Sequence, residues 1–302
     1  MFLASCHFWG WERCFSVTSS NTSPKTGREY TRILRVGVPE GLGSLGWGPL
    51  PLLLMPLFSS EALVLRTYRL GEADRIVVFL TSDRGKKRGV AKGARRTRSR
   101  FLGALEPFTS VRVSYYEREH RDLVRVSDVE TVRSPLAARD PESLNYVGYF
   151  AELMDEWAQE ADPNERLYRL GASMVEAMAL GAPIARLARY FEYWLLRLQG
   201  VYPPAIACHE CAAGLEDDGA WISAREGMFL CARCGGPGKG VRLSSLSIRF
   251  LHEASRIRPA DLEAISWSIQ IGRELEAAHS LLIATHLAKE LRSMRVMREL
   301  QN

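Results

Sequence analysis

Between Ser59 and Val132 the chain carries five short strand candidates, punctuated by turn residues, with no helical segment between them. The runs are Glu61–Leu70, Arg75–Leu80, Lys86–Ala91, Thr109–Tyr116 and Leu123–Val132. In Thr109–Tyr116, Val111, Val113 and Tyr115 fall on one face and Arg112, Ser114 and Tyr116 on the other. That period of two is what a half-buried strand imposes. Thr81-Ser-Asp-Arg-Gly85 supplies turn punctuation after the second run. Five such strands in so short a span predict a small barrel or sandwich. The five-stranded oligonucleotide-binding (OB) barrel is the natural candidate.

The period then changes. Asp140-Pro141-Glu142 reads as a helix start, with an N-cap, a proline at the first helical position and an early acid. Leu144, Val147, Ala151, Met154 and Ala158 follow at helical spacing. A second helix is predicted from about Asn164 to Gly181, with Leu167, Leu170, Met174 and Met178 on its apolar face. A third runs from Pro183 to Gly200, and Leu246–His252 and Asp261–Leu300 are helical again. Stripes of this kind are read as core. The fold class is α+β: an N-terminal five-stranded OB-type β-barrel over 55–135, then an all-α domain over 136–302 with a cysteine module inserted at 205–240.

That module is the sharpest chemical signal. Cys208-x2-Cys211 and Cys231-x2-Cys234 are separated by 19 residues. Two such pairs read as one tetrahedral Zn²⁺ site. Four thiolates would fill the shell and leave no place for a reactive water, so the zinc would be structural. Two disulfides or four free thiols are the plain alternatives, and a reducing compartment disfavours the first. His209 lies inside the first pair but is read as a neighbour, since four sulfurs complete the site. Trp221-Ile-Ser and Met228-Phe-Leu flank Ala224-Arg-Glu-Gly227 as a hairpin would, and Gly214, Gly235, Gly236 and Gly238 suit the tight turns.

The net charge of +5 is too mild to name a partner. Its distribution says more. From Arg84 to Arg100 the chain carries nine cations and no acid: Arg84, Lys86, Lys87, Arg88, Lys92, Arg95, Arg96, Arg98 and Arg100. Read as one glycine-containing loop between the third and fourth strands, this run suits a polyanion track, because neutralised phosphates release counterions. Phe101, Phe108, Tyr115 and Tyr116 lie near it in sequence as possible stacking partners. A solvated charged loop is the plain alternative.

Residues 1–54 keep neither period and are read as a disordered leader or a mis-assigned start, with Met55 as the true one. Gly41, Gly43 and Gly46 have dinucleotide-loop spacing, but Trp47, Gly48 and Pro49 stand where a helix should begin. Cys6, His7 and Cys14 match no common metal spacing. No stretch has the length of a membrane span, so no membrane partner is expected and the cytoplasm is the expected compartment.

Several ordered segments resemble the recombination-repair protein O (RecO) family. They are Met55-Pro-Leu-Phe-Ser-Ser-Glu-Ala-Leu-Val-Leu-Arg-Thr67, Gly71-Glu-Ala-Asp-Arg-Ile-Val77, and Val90-Ala-Lys-Gly-Ala-Arg-Arg96 with Ser99-Arg-Phe101. The helical half with its four-cysteine module also looks like this family. The resemblance implies an OB domain, a helical domain and a zinc module. It implies binding of single- and double-stranded DNA, annealing of complementary strands, and a nucleoid-associated role as a recombination mediator without catalysis. It also implies partnership with RecR, with the acidic tail of single-strand-binding protein (SSB) and indirectly with RecA. Arg292, Arg295 and Arg298, spaced among Leu287, Leu291, Met294 and Leu300, are the candidate contact for that tail, against the plainer reading of a helix packed on the core. A zinc-stabilised nuclease or a protein-interaction scaffold without DNA binding are the rival functions.

Overall fold

A computed structural model describes residues 56–301, apart from 119–120, 138–140, 203–204, 224–226, 239 and 290. Residues 1–54, the Asp140 cap and the tip of the 224–227 turn lie outside the described residues.

Five strands, β1 (Leu57–Leu70), β2 (Asp74–Thr81), β3 (Gly85–Ala91), β4 (Ser110–Tyr116) and β5 (Leu123–Arg133), close into a barrel in the order β1-β2-β3-β5-β4. β3 and β5 run parallel, and the other pairs are antiparallel. This is the OB-type arrangement expected from the alternating runs. β1 is long enough to pair with β2 along one half and β4 along the other, and a register shift between Val64 and Arg66 lets it bend between them. Ala62, Val64, Val77, Phe79, Val111, Val113, Tyr115, Val124 and Val126 fill the interior. Phe101, Ala104 and Leu105, from the connection after β3, join that interior.

The barrel also has an apolar outer face. Leu63, Leu65, Val78, Leu80 and Phe108 belong to the core of the helical half. Phe108 is held at φ 60 because its N–H donates to Val64 O at 2.7 Å while Val64 N–H donates to Thr109 O at 2.9 Å. A bulky residue in the left-handed region is strained. Its reward is a ring placed 5.5 Å from Phe150, which stands 4.7 Å from Phe191.

The helical half comprises α1 (Pro141–Trp157), α2 (Glu165–Leu180), α3 (Ile184–Leu198), α4 (Ser245–Ala254), α5 (Ile269–Leu287) and α6 (Arg292–Gln301). Asn164 caps α2 through Leu167 N–H, and Gly181 ends it at φ 83. Three sequence expectations need correction. Leu144 is 39 % exposed rather than part of the buried face of α1. The stretch 261–300 is not one helix: a 3-10 turn at Pro259–Ala264, the Ser268 N-cap of α5 and a left-handed Ala288 break it. In the first cysteine knuckle the positive-φ residue is Ala212, not Gly214.

A charged group sits deep in this core. Glu192 accepts from Tyr149 Oη at 2.7 Å and lies 3.0 Å from Arg189 Nη2 and 2.9 Å from His279 Nδ1. Burial alone would raise the Glu192 pKa, but Arg189 and His279 outweigh it and hold the carboxyl below its usual range.

The α1–α2 connection locks onto β3. Lys86 N–H donates to Gln159 O and Ala161 N–H to Lys86 O, each at 3.1 Å. Gly85, at φ +68, leaves no room for a side chain, since a Cβ there would stand 2.3 Å from Asp162 O. Gly85→Ala should therefore cost about 2 kcal/mol or more of stability, read by equilibrium urea unfolding. A wild-type midpoint would contradict this account of the docking.

Candidate nucleic-acid interface and metal centre

The run Arg84–Arg100 is not one loop. Residues 85–91 form β3, and this separates the nine cations. Seven strand residues span roughly 23 Å, so Arg84 and Lys92 sit at opposite ends of the barrel wall. At the first end the charges are met internally. Arg84 stacks 3.9 Å above the Phe58 ring and lies 3.6 Å from Asp83. Lys86 reaches Asp155 Oδ1 at 3.3 Å and its carbonyl at 2.7 Å. Lys87 donates to Glu117 at 2.6 Å, and Arg88 to Glu160 at 2.7 Å. β3 carries Lys86 and Arg88 on its outer face, toward acids that follow in the helical half, and Lys87 on the opposite face, toward Glu117; nothing in the run itself shows those acids.

At the other end five cations stay open. Lys92, Arg95, Arg96, Arg98 and Arg100 are all exposed. None of the five has an ion-pair partner among the described residues. Their segment is nevertheless fixed. Gly93 N–H donates to Asp74 Oδ1 at 2.7 Å, and Arg95 N–H to Ala73 O at 2.9 Å. The Arg95 guanidinium donates to Gly71 O at 3.0 Å and Glu72 O at 2.9 Å. The apolar residues of the segment, Phe101, Ala104 and Leu105, plug the barrel, which turns the cations outward. Arg100 lies 4.9 Å from the Phe101 ring centroid. Of the aromatics near the run in sequence, Phe101, Phe108 and Tyr115 are buried and offer no open stacking surface. Sequence reasoning missed Arg69, which is exposed and pairs in register with Arg75 at the same barrel end. The hairpin signal at Gly71 could have placed it there.

The four cysteines do come together. The sulfurs of Cys208, Cys211, Cys231 and Cys234 all lie within 4.8 Å of one another, and Cys211 and Cys231 are 3.6 Å apart. Four ligands at ~2.3 Å around a tetrahedral centre would be about 3.8 Å apart. None is in a disulfide, and His209 is not in the group. Strands β6 (Ala220–Ser223), β7 (Met228–Leu230) and β8 (Val241–Leu243) form the small sheet that carries the site. Cys208 N–H donates to Ala213 O, and Gly235 N–H to Cys231 O, each at 2.8 Å, which closes both knuckles. The donor set fits a dication. Backbone N–H groups of Cys234 and Arg233 pull the Cys231 thiol down to about 6, while hydrogen bonding to Cys211 pushes Cys234 up. Without a cation the sulfurs share protons; with one, all four can serve as thiolates.

Of the three C-terminal arginines, Arg292 and Arg295 are exposed, and the Arg298 side chain lies outside the described residues. Leu291 is buried, and Met294 and Met297 pack against the core, so these apolar neighbours are spent on packing. Glu152 accepts from the N–H groups of Arg292 and Ser293 and so caps α6.

Family models named Recombination protein O N terminal and Recombination protein O C terminal match residues 55–135 and 138–295. The chain belongs to the RecO family. It is 34 % identical over 239 residues to the DNA repair protein RecO of Koribacter versatilis, which covers 78 % of this chain and 96 % of that one. It is similarly related to the RecO proteins of Anaeromyxobacter sp. (35 % over 241 residues, 78 % and 94 %) and Geobacter metallireducens (33 % over 242 residues, 80 % and 97 %). It is thus a RecO-family protein of DNA repair and recombination. Among the described residues no helix is long and apolar enough to cross a membrane.

The cysteine cluster can hold one thiolate-preferring divalent ion. Elemental analysis of reduced, freshly purified protein should find one equivalent per chain, falling below half in Cys231→Ser. Equal metal content in the two proteins would contradict the assignment.

Proposed function

We propose that this protein is a recombination mediator that holds DNA phosphates on Lys92, Arg95, Arg96, Arg98 and Arg100 and brings complementary strands together. The observation that carries this reading is five exposed cations without carboxylate partners, on a segment pinned to the barrel at Gly71–Asp74. An open cation on a rigid support pays little ordering entropy when a phosphate arrives. Arg84, Lys86, Lys87 and Arg88 fall outside this track, because internal partners hold them.

Both single- and double-stranded DNA present the required phosphates. Screening them lowers the repulsion between two anionic strands, while base pairing supplies the sequence reading. That task needs no nucleophile and no catalytic metal, so we read the protein as a non-enzyme. The four thiolates would hold Zn²⁺ as a structural ion, since they leave no open coordination position. RecR, the acidic tail of SSB and, through them, RecA are the partners the family reading brings. Exposed Arg292 and Arg295, with Arg298, remain the proposed contact for the acidic tail. Action at the nucleoid follows from the same reading.

The slope of log affinity against log salt tests the track. For a single strand each phosphate contact contributes about 0.7 to that slope. Lys92→Ala/Arg96→Ala/Arg98→Ala should make it shallower by about 2 and weaken single-strand binding. A folded triple variant with the wild-type slope and affinity would overturn the assignment.

A further inference from the structure

A cleft of about 640 Å³ opens between the outer barrel wall and the last turn of α1 with the connection that follows it. Strand register builds its floor. Arg66, Val78, Arg88 and Leu123 form one cross-strand row, and Tyr68, Ile76, Val90 and Arg125 the next. The Tyr68 row meets β3 at Val90, two residues or about 7 Å from Lys92 and the open cations. Tyr68 is 46 % exposed and Leu123 40 % exposed, so the floor offers an aromatic ring and aliphatic surface to solvent. Arg66 Nη1 donates to the Tyr68 hydroxyl at 3.1 Å and steadies the ring.

The charge of the cleft decides what can enter. Its cations are already met: Arg66 by Asp155 at 3.0 Å, Lys86 by Asp155 at 3.3 Å and Arg88 by Glu160 at 2.7 Å. Glu156, held by Lys289, and the exposed Asp122 add two more carboxylates to the lining. A phosphate would find each lining cation already engaged by a carboxylate and the open Asp122 beside it, so the cleft disfavours it; the exposed Arg125 stands at the end of the Tyr68 row, outside the lining. An uncharged base is not repelled. Its face can stack on Tyr68, and an exocyclic amine can donate to Asp122 or Glu160. Cytosine, adenine and guanine carry such an amine, whereas thymine does not. A base inside a duplex is stacked and paired, and only an unpaired one can turn into a cleft.

We propose that this cleft is a subsite for unpaired nucleobases bearing an exocyclic amine, which stack on Tyr68 while their phosphates stay on Lys92–Arg100. The proposal rests on the reading of that segment as a phosphate track. It divides recognition by chemistry: charge at the barrel end, base faces on the wall beside it.

Anisotropy titrations with labelled oligo(dC), with oligo(dT) and, by competition, with inorganic polyphosphate separate the two sites. Tyr68→Ala should lose roughly five- to a hundredfold in affinity for oligo(dC) and keep its affinity for polyphosphate. Tyr68→Phe, which keeps the ring, should bind oligo(dC) nearly as the wild type does. Asp122→Asn/Glu160→Gln should narrow the preference for oligo(dC) over oligo(dT). Unchanged oligo(dC) affinity in folded Tyr68→Ala would overturn the proposal, as would a parallel loss for polyphosphate. If Lys92→Ala/Arg96→Ala/Arg98→Ala keeps wild-type affinity for polyphosphate, the track itself fails, and the failure is traced to the loop rather than to the cleft.

Discussion

The barrel has apolar side chains on both sides of its wall, and this fact organises the molecule. Its inner set closes the β-core. Its outer set, Leu63, Leu65, Val78, Leu80 and Phe108, must be covered, and the helices cover it. Burying a large apolar side chain is worth about 1.5–3 kcal/mol, so five of them outweigh the strain at Phe108. The parallel bridge between Lys86 and Glu160 and the bare Cα of Gly85 then set how closely the α1–α2 connection approaches. Everything proposed about recognition depends on this docking, because it fixes which cations are met by acids and which are left open.

The consequence is a chain whose basic run has two fates. Near α1, acids of the helical half neutralise Lys86 and Arg88. At the far end of the same strand Asp74 is taken by Gly93 N–H and Glu106 by Arg75, so among the described residues no acid pairs with Lys92, Arg95, Arg96, Arg98 or Arg100, and beside the plug of Phe101, Ala104 and Leu105 all five are exposed to solvent. Uniform charge in sequence therefore becomes a polarised wall. The proposed phosphate track at one end and the carboxylate-lined cleft beside it would guide a single strand in a way that a uniformly basic surface would not. The Glu192 cluster is buried in the helical half, and no residue of it or of the four-cysteine site lines the cleft.

Much of this was legible in the residues. Alternation gave β4 directly, and turn residues gave the strand count. The C-x-x-C spacing put four sulfurs in one place, because a zinc-type knuckle is a local structure. Asn164 and Gly181 marked the ends of α2 for equally local reasons. What was illegible was long-range. The acids that pair with Lys86 and Arg88 come from a segment some seventy residues later, and no local pattern announces them. The single-helix expectation for 261–300 failed because Ser268 and Ala288 interrupt an otherwise continuous apolar period. Leu144 fits its helical stripe, yet it stays 39 % exposed.

On the proposed function, the five open cations let two complementary strands meet. Annealing of complementary, dye-labelled single strands pre-coated with single-strand-binding protein measures this directly, by the rate of energy transfer between the dyes. The wild-type protein should accelerate annealing in a salt-sensitive way, and Lys92→Ala/Arg96→Ala/Arg98→Ala should leave it near the spontaneous rate. Annealing by that variant at the wild-type rate, or no acceleration by the wild type, would contradict the account.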